Sequence, residues 1–191
     1  MTTVPSIQLG KQWAIVAGTI VILFGGIISI AAFVEPPPKL VAGAMAPVFH
    51  ATVVSGPTHA TSLDGFRGKV VVLNVWSTTC IPCVKEMPSL QRLSAMFADS
   101  GVRVVGIATD KNAVPSAAVA EFARQRGVTF DILRDPTGAL ERAYQVSGVP
   151  NTTVIDPSGR IVFREFGGVD WSDTFHVALV RRALERARPT P

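Results

Sequence analysis

The apolar positions of the chain fall into two regimes. From Trp13 to Val34 no residue carries a charge, and the run reads WAIVAGTIVILFGGIISIAAFV. At 1.5 Å rise per residue, about 20 such residues cross a hydrocarbon core of about 30 Å. The apolar stretch of a cleaved signal peptide is normally only about 7–15 residues, shorter than this one. The run therefore predicts a single N-terminal transmembrane helix over residues 13–34, behind a short tail, residues 1–12. Lys11 stands on one side and Lys39 on the other, so the positive-inside bias barely discriminates an orientation. Glu35-Pro36-Pro37-Pro38-Lys39 follows as a stiff, extended spacer, part of a linker over 35–45.

Beyond residue 46 the apolar positions change period. Val48 to Val54 and Thr58 to Leu63, around Ser55-Gly56-Pro57, predict an N-terminal β-hairpin. Val70 to Trp76 is a continuous β-branched run, as expected of a strand buried on both faces. From Cys80 to Phe97 the spacing is helical, with Val84, Met87, Leu90, Leu93 and Phe97 on one stripe. Gly101 ends that helix and Val102 to Ala108 reads as a second buried strand. Val114 to Arg126 is helical, Val128 to Leu133 a short strand, and Thr137 to Tyr144 a short helix. Thr152 to Ile155 and Ile161 to Phe166 are strands joined by Asp156-Pro157-Ser158-Gly159, a tight turn that makes them antiparallel. Trp171 to Arg188 closes the chain as a helix with Ser172 as its N-cap. Strands alternating with helices indicate βαβ units, so residues 46–191 form one α/β domain with a mixed central sheet flanked by helices.

Charge adds little to this picture. There are 18 Lys+Arg against 14 Asp+Glu, a net +4. Many arginines sit between Arg181 and Arg188, without the aromatics or motif that nucleic-acid binding would want, so no nucleic-acid partner is expected.

The cysteines change it more. The chain has 2 cysteines. They lie two residues apart and cannot staple distant segments, which leaves a local redox pair. Cys80-Ile81-Pro82-Cys83 sits where a strand turns into a helix. Unpaired N–H groups and the positive end of the helix dipole stabilise a thiolate there, so the Cys80 thiol should titrate below the free value of about 8.5. Cys83, one turn on, points inward and is the resolving thiol. Pro82 suits the first turn, where no N–H is needed. Structural zinc normally takes four ligands; one pair, with His59 on another segment, does not supply them, and neither metal nor cofactor is expected. Glu86, three residues past Cys83, shares its side of the helix; the alternative is a solvated helix glutamate. Pro88 lies inside the helix and should kink it.

The stretch Val72-Leu73-Asn74-Val75-Trp76-Ser77-Thr78-Thr79-Cys80-Ile81-Pro82-Cys83-Val84-Lys85-Glu86-Met87-Pro88 resembles the active-site segment of the membrane-anchored, thioredoxin-like reductases, the TlpA/ResA/CcmG group. The lead-in Phe66-Arg67-Gly68-Lys69 fits too, as does Gly148 to Arg160. The resemblance covers the chain from about Ala46 onward and implies a thioredoxin fold and a protein-disulfide reductase. It implies that Cys80 attacks and Cys83 resolves, that Glu86 lies near the cysteines and tunes them, and that Val149-Pro150 is a cis peptide presenting Val149 to a partner strand. Trp76 joins Val149 and Pro150 on the expected docking edge. The implied partners are disulfide-bearing extracytoplasmic proteins, apocytochrome c first, with re-reduction by an integral membrane thiol carrier. The implied location is the cell membrane, single-pass, with the domain on the extracytoplasmic side. Two departures stand out. Asn74 replaces the buried acid of ordinary thioredoxins, and Thr79 replaces the Trp that usually precedes the first cysteine.

Two rival readings come from other classes. A peroxiredoxin-type thiol peroxidase would want a Pro where Leu73 stands, with a Thr where Ser77 stands. A non-catalytic binding module on the same fold would use the surface and not the thiols, since fold alone does not fix function.

Overall fold

The computed structural model describes residues 9–33, 40–110 and 114–186. Two compact units divide the chain, Met1–Pro38 and Lys39–Pro191. In the first, α1 runs from Leu9 to Phe33. Its described side chains, residues 13–26, include Ile15, Val21, Ile22, Leu23 and Phe24, all exposed. Among the described residues no helix is long and apolar enough to cross a membrane. Val34 and residues 35–39 lie outside the described residues.

The second unit is built on a six-stranded mixed sheet. Its strands are β1 (Thr52–Ser55), β2 (Val70–Trp76), β3 (Val102–Ala108), β4 (Asp131–Arg134), β5 (Asn151–Ile155) and β6 (Ile161–Phe166). They lie in the order β1-β4-β3-β2-β5-β6. β2, β3 and β4 are mutually parallel, with β5 and β6 antiparallel beyond β2. The helices are α2 (Ile81–Met96), α3 (Ser116–Gln125), α4 (Ala139–Ala143) and α5 (Thr174–Glu185).

All seven residues of β2 are buried, as expected of a strand rich in β-branched residues and covered on both faces. Their alternation sorts them between two cores. Val70, Val72 and Trp76 join Met87, Leu90 and Leu93 of α2 and Val180 of α5 on one face. Val71, Leu73 and Val75 join Phe49, Phe66, Leu140 and Tyr144 on the other. Each fully buried Leu or Met contributes about 1.5–3 kcal/mol, which holds α2 and its first turn firmly on the sheet. The same parity turns Asn74 toward α2. Gly106 of β3 is required beside it: a Cβ there would come within 2.9 Å of Trp76 Nε1 and of Ile132.

Three local expectations are corrected. The N-terminal hairpin does not form. β1 pairs antiparallel with β4, while the segment after Pro57 makes one bridge, His50 to Ser62, and enters a 3₁₀ turn at Leu63–Phe66. A free edge on β4 offers β1 a longer ladder than its sequence neighbour does. The cap of α5 is Asp173, whose carboxylate accepts the His176 N–H at 2.8 Å. Ser172 instead bonds Asp170. The folded unit also reaches back past residue 46: Leu40 is buried, and Gly43 N–H donates to the Ile161 carbonyl at 2.8 Å.

Candidate active site

Cys80 is the N-cap residue of α2, in extended backbone, immediately after the turn that leaves β2. Its Sγ accepts the Cys83 backbone N–H at 3.2 Å. This is the capping bond that Ser or Asp usually makes, here made to sulfur, and it strengthens when the sulfur carries negative charge. The turn is fixed by Asp110, whose carboxylate accepts from Thr78 N at 3.0 Å and Thr78 Oγ1 at 2.6 Å. Pro82 sits in the first turn of the helix.

Cys80 and Cys83 are joined by a disulfide, S–S 2.01 Å. Cys83 is fully buried and Cys80 is half-exposed. Thr79, Ile81 and Pro82 around Cys80 are exposed. The Val149–Pro150 peptide is cis, and the Val149 carbonyl oxygen lies 3.5 Å from Cys80 Sγ. A disulfide sulfur has no proton, so this contact becomes a hydrogen bond only when Cys80 is a thiol. Val149 is half-buried and Pro150 buried, and Gly167 N–H anchors the loop through the Pro150 carbonyl at 3.0 Å.

Trp76, expected on the docking edge, is not there. It is 1% exposed and stacks on Phe122 at 5.8 Å inside the core. A strand residue buried on both faces has no surface to offer a partner.

Glu86 is 2% exposed, with its carboxyl enclosed between α2 and the loop before α5. Asn74 Nδ2 donates to Oε1 at 2.6 Å and Val169 N–H to Oε2 at 3.4 Å. Both bonds favour the carboxylate, yet burial outweighs them and pushes the Glu86 pKa up to about 7. A group at that value exchanges protons near neutral pH. The helix glutamate is therefore a buried acid and not a solvated one. Pro88, inside the helix, is exposed.

Other residues around this acid carry no motif in the sequence. Thr152, directly opposite Asn74 across β2 and β5, takes the second amide proton of Asn74 at 2.9 Å. Ser89 Oγ donates to the Glu86 backbone carbonyl at 2.7 Å and accepts the Trp171 backbone N–H at 3.0 Å. One signal was available, since an amide in the middle of a β-branched strand needs buried partners. Beside Glu86 a cleft of about 270 Å³ opens to solvent, lined by Pro82, Lys85, Arg92 and Asp170 among others. Among the described residues no three His, Cys, Asp or Glu side chains come together as a metal-ligand set.

Comparison with known proteins agrees with this geometry. The AhpC/TSA family model matches residues 42–164. "Thiol-disulfide oxidoreductase ResA" of Geobacillus thermodenitrificans is 32% identical over 155 residues, 79% of this chain and 86% of that relative. The protein of the same name from Geobacillus kaustophilus is 35% identical over 119 residues, 62% of this chain and 66% of that relative. A solved structure described as a putative thiol:disulfide interchange protein DsbE from Chlorobium tepidum superposes with TM-score 0.66 at 27% identity, covering 76% of this chain and 99% of that one. A cysteine pair at a helix start, in a sheet shared with such relatives over most of the folded unit, assigns the chain to the AhpC/TSA family, as a thioredoxin-like thiol–disulfide oxidoreductase of the ResA/DsbE type.

Proposed function

We propose that this protein is a membrane-tethered reductase of extracytoplasmic disulfides, with apocytochrome c as its first candidate substrate. The observation that carries the chemistry is the asymmetry of the pair: Cys80 half-exposed and capped by a helix N–H, Cys83 fully buried. In the reduced protein the Cys80 thiolate attacks one sulfur of the substrate disulfide. The other substrate sulfur leaves as a thiolate and takes a proton. Cys83 then loses its proton, attacks Cys80 Sγ, and releases the second substrate sulfur as a thiol. One enzyme dithiol and one substrate disulfide give one enzyme disulfide and one substrate dithiol. The Cys80–Cys83 disulfide of this structure is the product state.

Glu86 is the proton acceptor for Cys83 in this reading. One helical turn separates them, and an acid near pH 7 can take the proton and return it. The Val149–Pro150 loop docks the substrate backbone beside Cys80. Re-reduction falls to an integral membrane thiol carrier, and residues 13–34 supply the tether. Supporting the tether are the uncharged run from Trp13 to Val34 and the helical path of α1 through Leu9–Phe33.

The reading is tested with the reduced full chain and two oxidised substrates: a peptide carrying an apocytochrome CxxCH disulfide, and an unrelated protein disulfide. Faster oxidation of the chain by the CxxCH peptide supports it. Equal rates remove the cytochrome assignment and leave the oxidoreductase. For the tether, protease added to intact spheroplasts should remove the folded unit; a protected unit contradicts the topology.

A further inference from the structure

The cleft beside Glu86 begins at the cysteine motif itself. Pro82, Lys85, Ser89 and Arg92 of α2 line one wall. Their spacing of three and four residues puts them on one helix face. Residues 168–170, in the loop before α5, line the other wall. The walls meet at the head of the cleft, where a Cβ on Gly168 would come within 3.0 Å of the Pro82 carbonyl oxygen. About 270 Å³ lies open beyond that contact.

The charges along this cleft are not balanced. Arg92 reaches across it to Asp170 at 3.4 Å and to Ser172 Oγ at 3.0 Å, so the cation and the carboxylate at the far end compensate each other. Glu86 is buried, with Asn74 and Val169 bonded to its carboxyl. Lys85 is exposed, and among the described residues no carboxylate lies within ion-pair range of its ammonium group. One uncompensated cation therefore stands at the cysteine end.

Reach separates the two cations. At 1.5 Å per residue, Lys85 lies about 8 Å from Cys80 along the helix axis and Arg92 about 18 Å. An extended substrate chain advances about 3.3–3.6 Å per residue. A side chain two to four residues from a cysteine held at Cys80 Sγ reaches Lys85 and stops short of Arg92.

We propose that Lys85 is a specificity-determining residue: the cleft takes an acidic side chain two to four residues from the cysteine under attack, and Lys85 receives its carboxylate. The inference rests on the reading of Cys80 as the group that attacks the substrate. Complementary charge at such a contact speeds encounter and fixes register more than it adds affinity. A substrate with a basic side chain at the same place meets a like charge and docks more slowly. The contact stays open to solvent, so the preference shrinks as salt rises.

The test uses the reduced full chain in detergent and short peptides closed by a single CxxC disulfide. Glu, Gln or Lys stands three residues before the first cysteine in one set and three residues after the second in the other. At low salt the Glu peptide of at least one set should oxidise the chain about threefold faster than its Gln counterpart and about tenfold faster than its Lys counterpart. Lys85→Gln should level the three rates, and Lys85→Glu should invert their order. The ratio within one variant is what is read, so a change in Cys80 reactivity common to all three peptides cancels. Equal rates for the three peptides in both sets overturn the proposal, as does an order that survives Lys85→Gln; the cleft is then only the solvent side of Glu86. If no peptide of any charge oxidises the chain, attack through Cys80 fails and this inference fails with it.

Discussion

Asn74 Nδ2 lies 2.6 Å from Glu86 Oε1, a bond between the middle of a central strand and the second turn of the cysteine-bearing helix. Both amide protons of Asn74 are used, the other on Thr152. A buried amide bonding a buried acid fixes where that acid sits relative to the disulfide.

Asn74→Ala should therefore raise the Glu86 pKa further above about 7, because it deletes the donor that most opposes burial. Leaving the carboxyl under-satisfied should also cost about 1–3 kcal/mol of stability. Denaturant unfolding and the pH dependence of exchange measure the two effects separately. A pKa that falls would contradict the geometry.

Glu86 also gives the fold a pH dependence of known sign. Its folded pKa is raised to about 7, against an unfolded value of about 4.3. The acid form is the one the fold accommodates, so this contribution is complete below about pH 4.3 and is lost as pH rises toward 7. The loss is on the order of 3 kcal/mol. Unfolding free energies across that range should fall more steeply for the native chain than for Glu86→Gln. Parallel curves would place Glu86 in solvent.

Much of this arrangement is legible in the sequence because it is local. Val70 to Trp76 can be little other than a buried strand, and a CxxC directly after it must open the next helix. The cis bond at Pro150 is legible only through the family resemblance, since spacing says nothing about isomer state. What the sequence hides is nonlocal. β1 finds its partner on β4, far along the chain, so an alternating pattern beside Gly56-Pro57 read as a hairpin. Trp76 looks like a residue near the site, but burial on both faces of the sheet places it in the core. Thr152 and Trp171 join the surroundings of Glu86 only through tertiary packing, by way of Asn74 and Ser89, and neither carries a motif.

The two thiols should differ in chemistry as they do in place. In single-cysteine variants Cys80 should react with iodoacetamide about tenfold faster than Cys83 near neutral pH, with a lower titration midpoint. The cause is the N–H at 3.2 Å from Cys80 Sγ and the complete burial of Cys83. A faster Cys83 would reverse the roles.

The central claim is that exchange passes through a mixed disulfide on Cys80 that Cys83 resolves. It is tested most directly by isolating Cys83→Ala from its own cells and running it without reductant. The account predicts disulfide-linked adducts with secreted or membrane-associated proteins, held through Cys80, absent from Cys80→Ala and released by reductant. A Cys83→Ala protein that carries no disulfide-linked partner would contradict it.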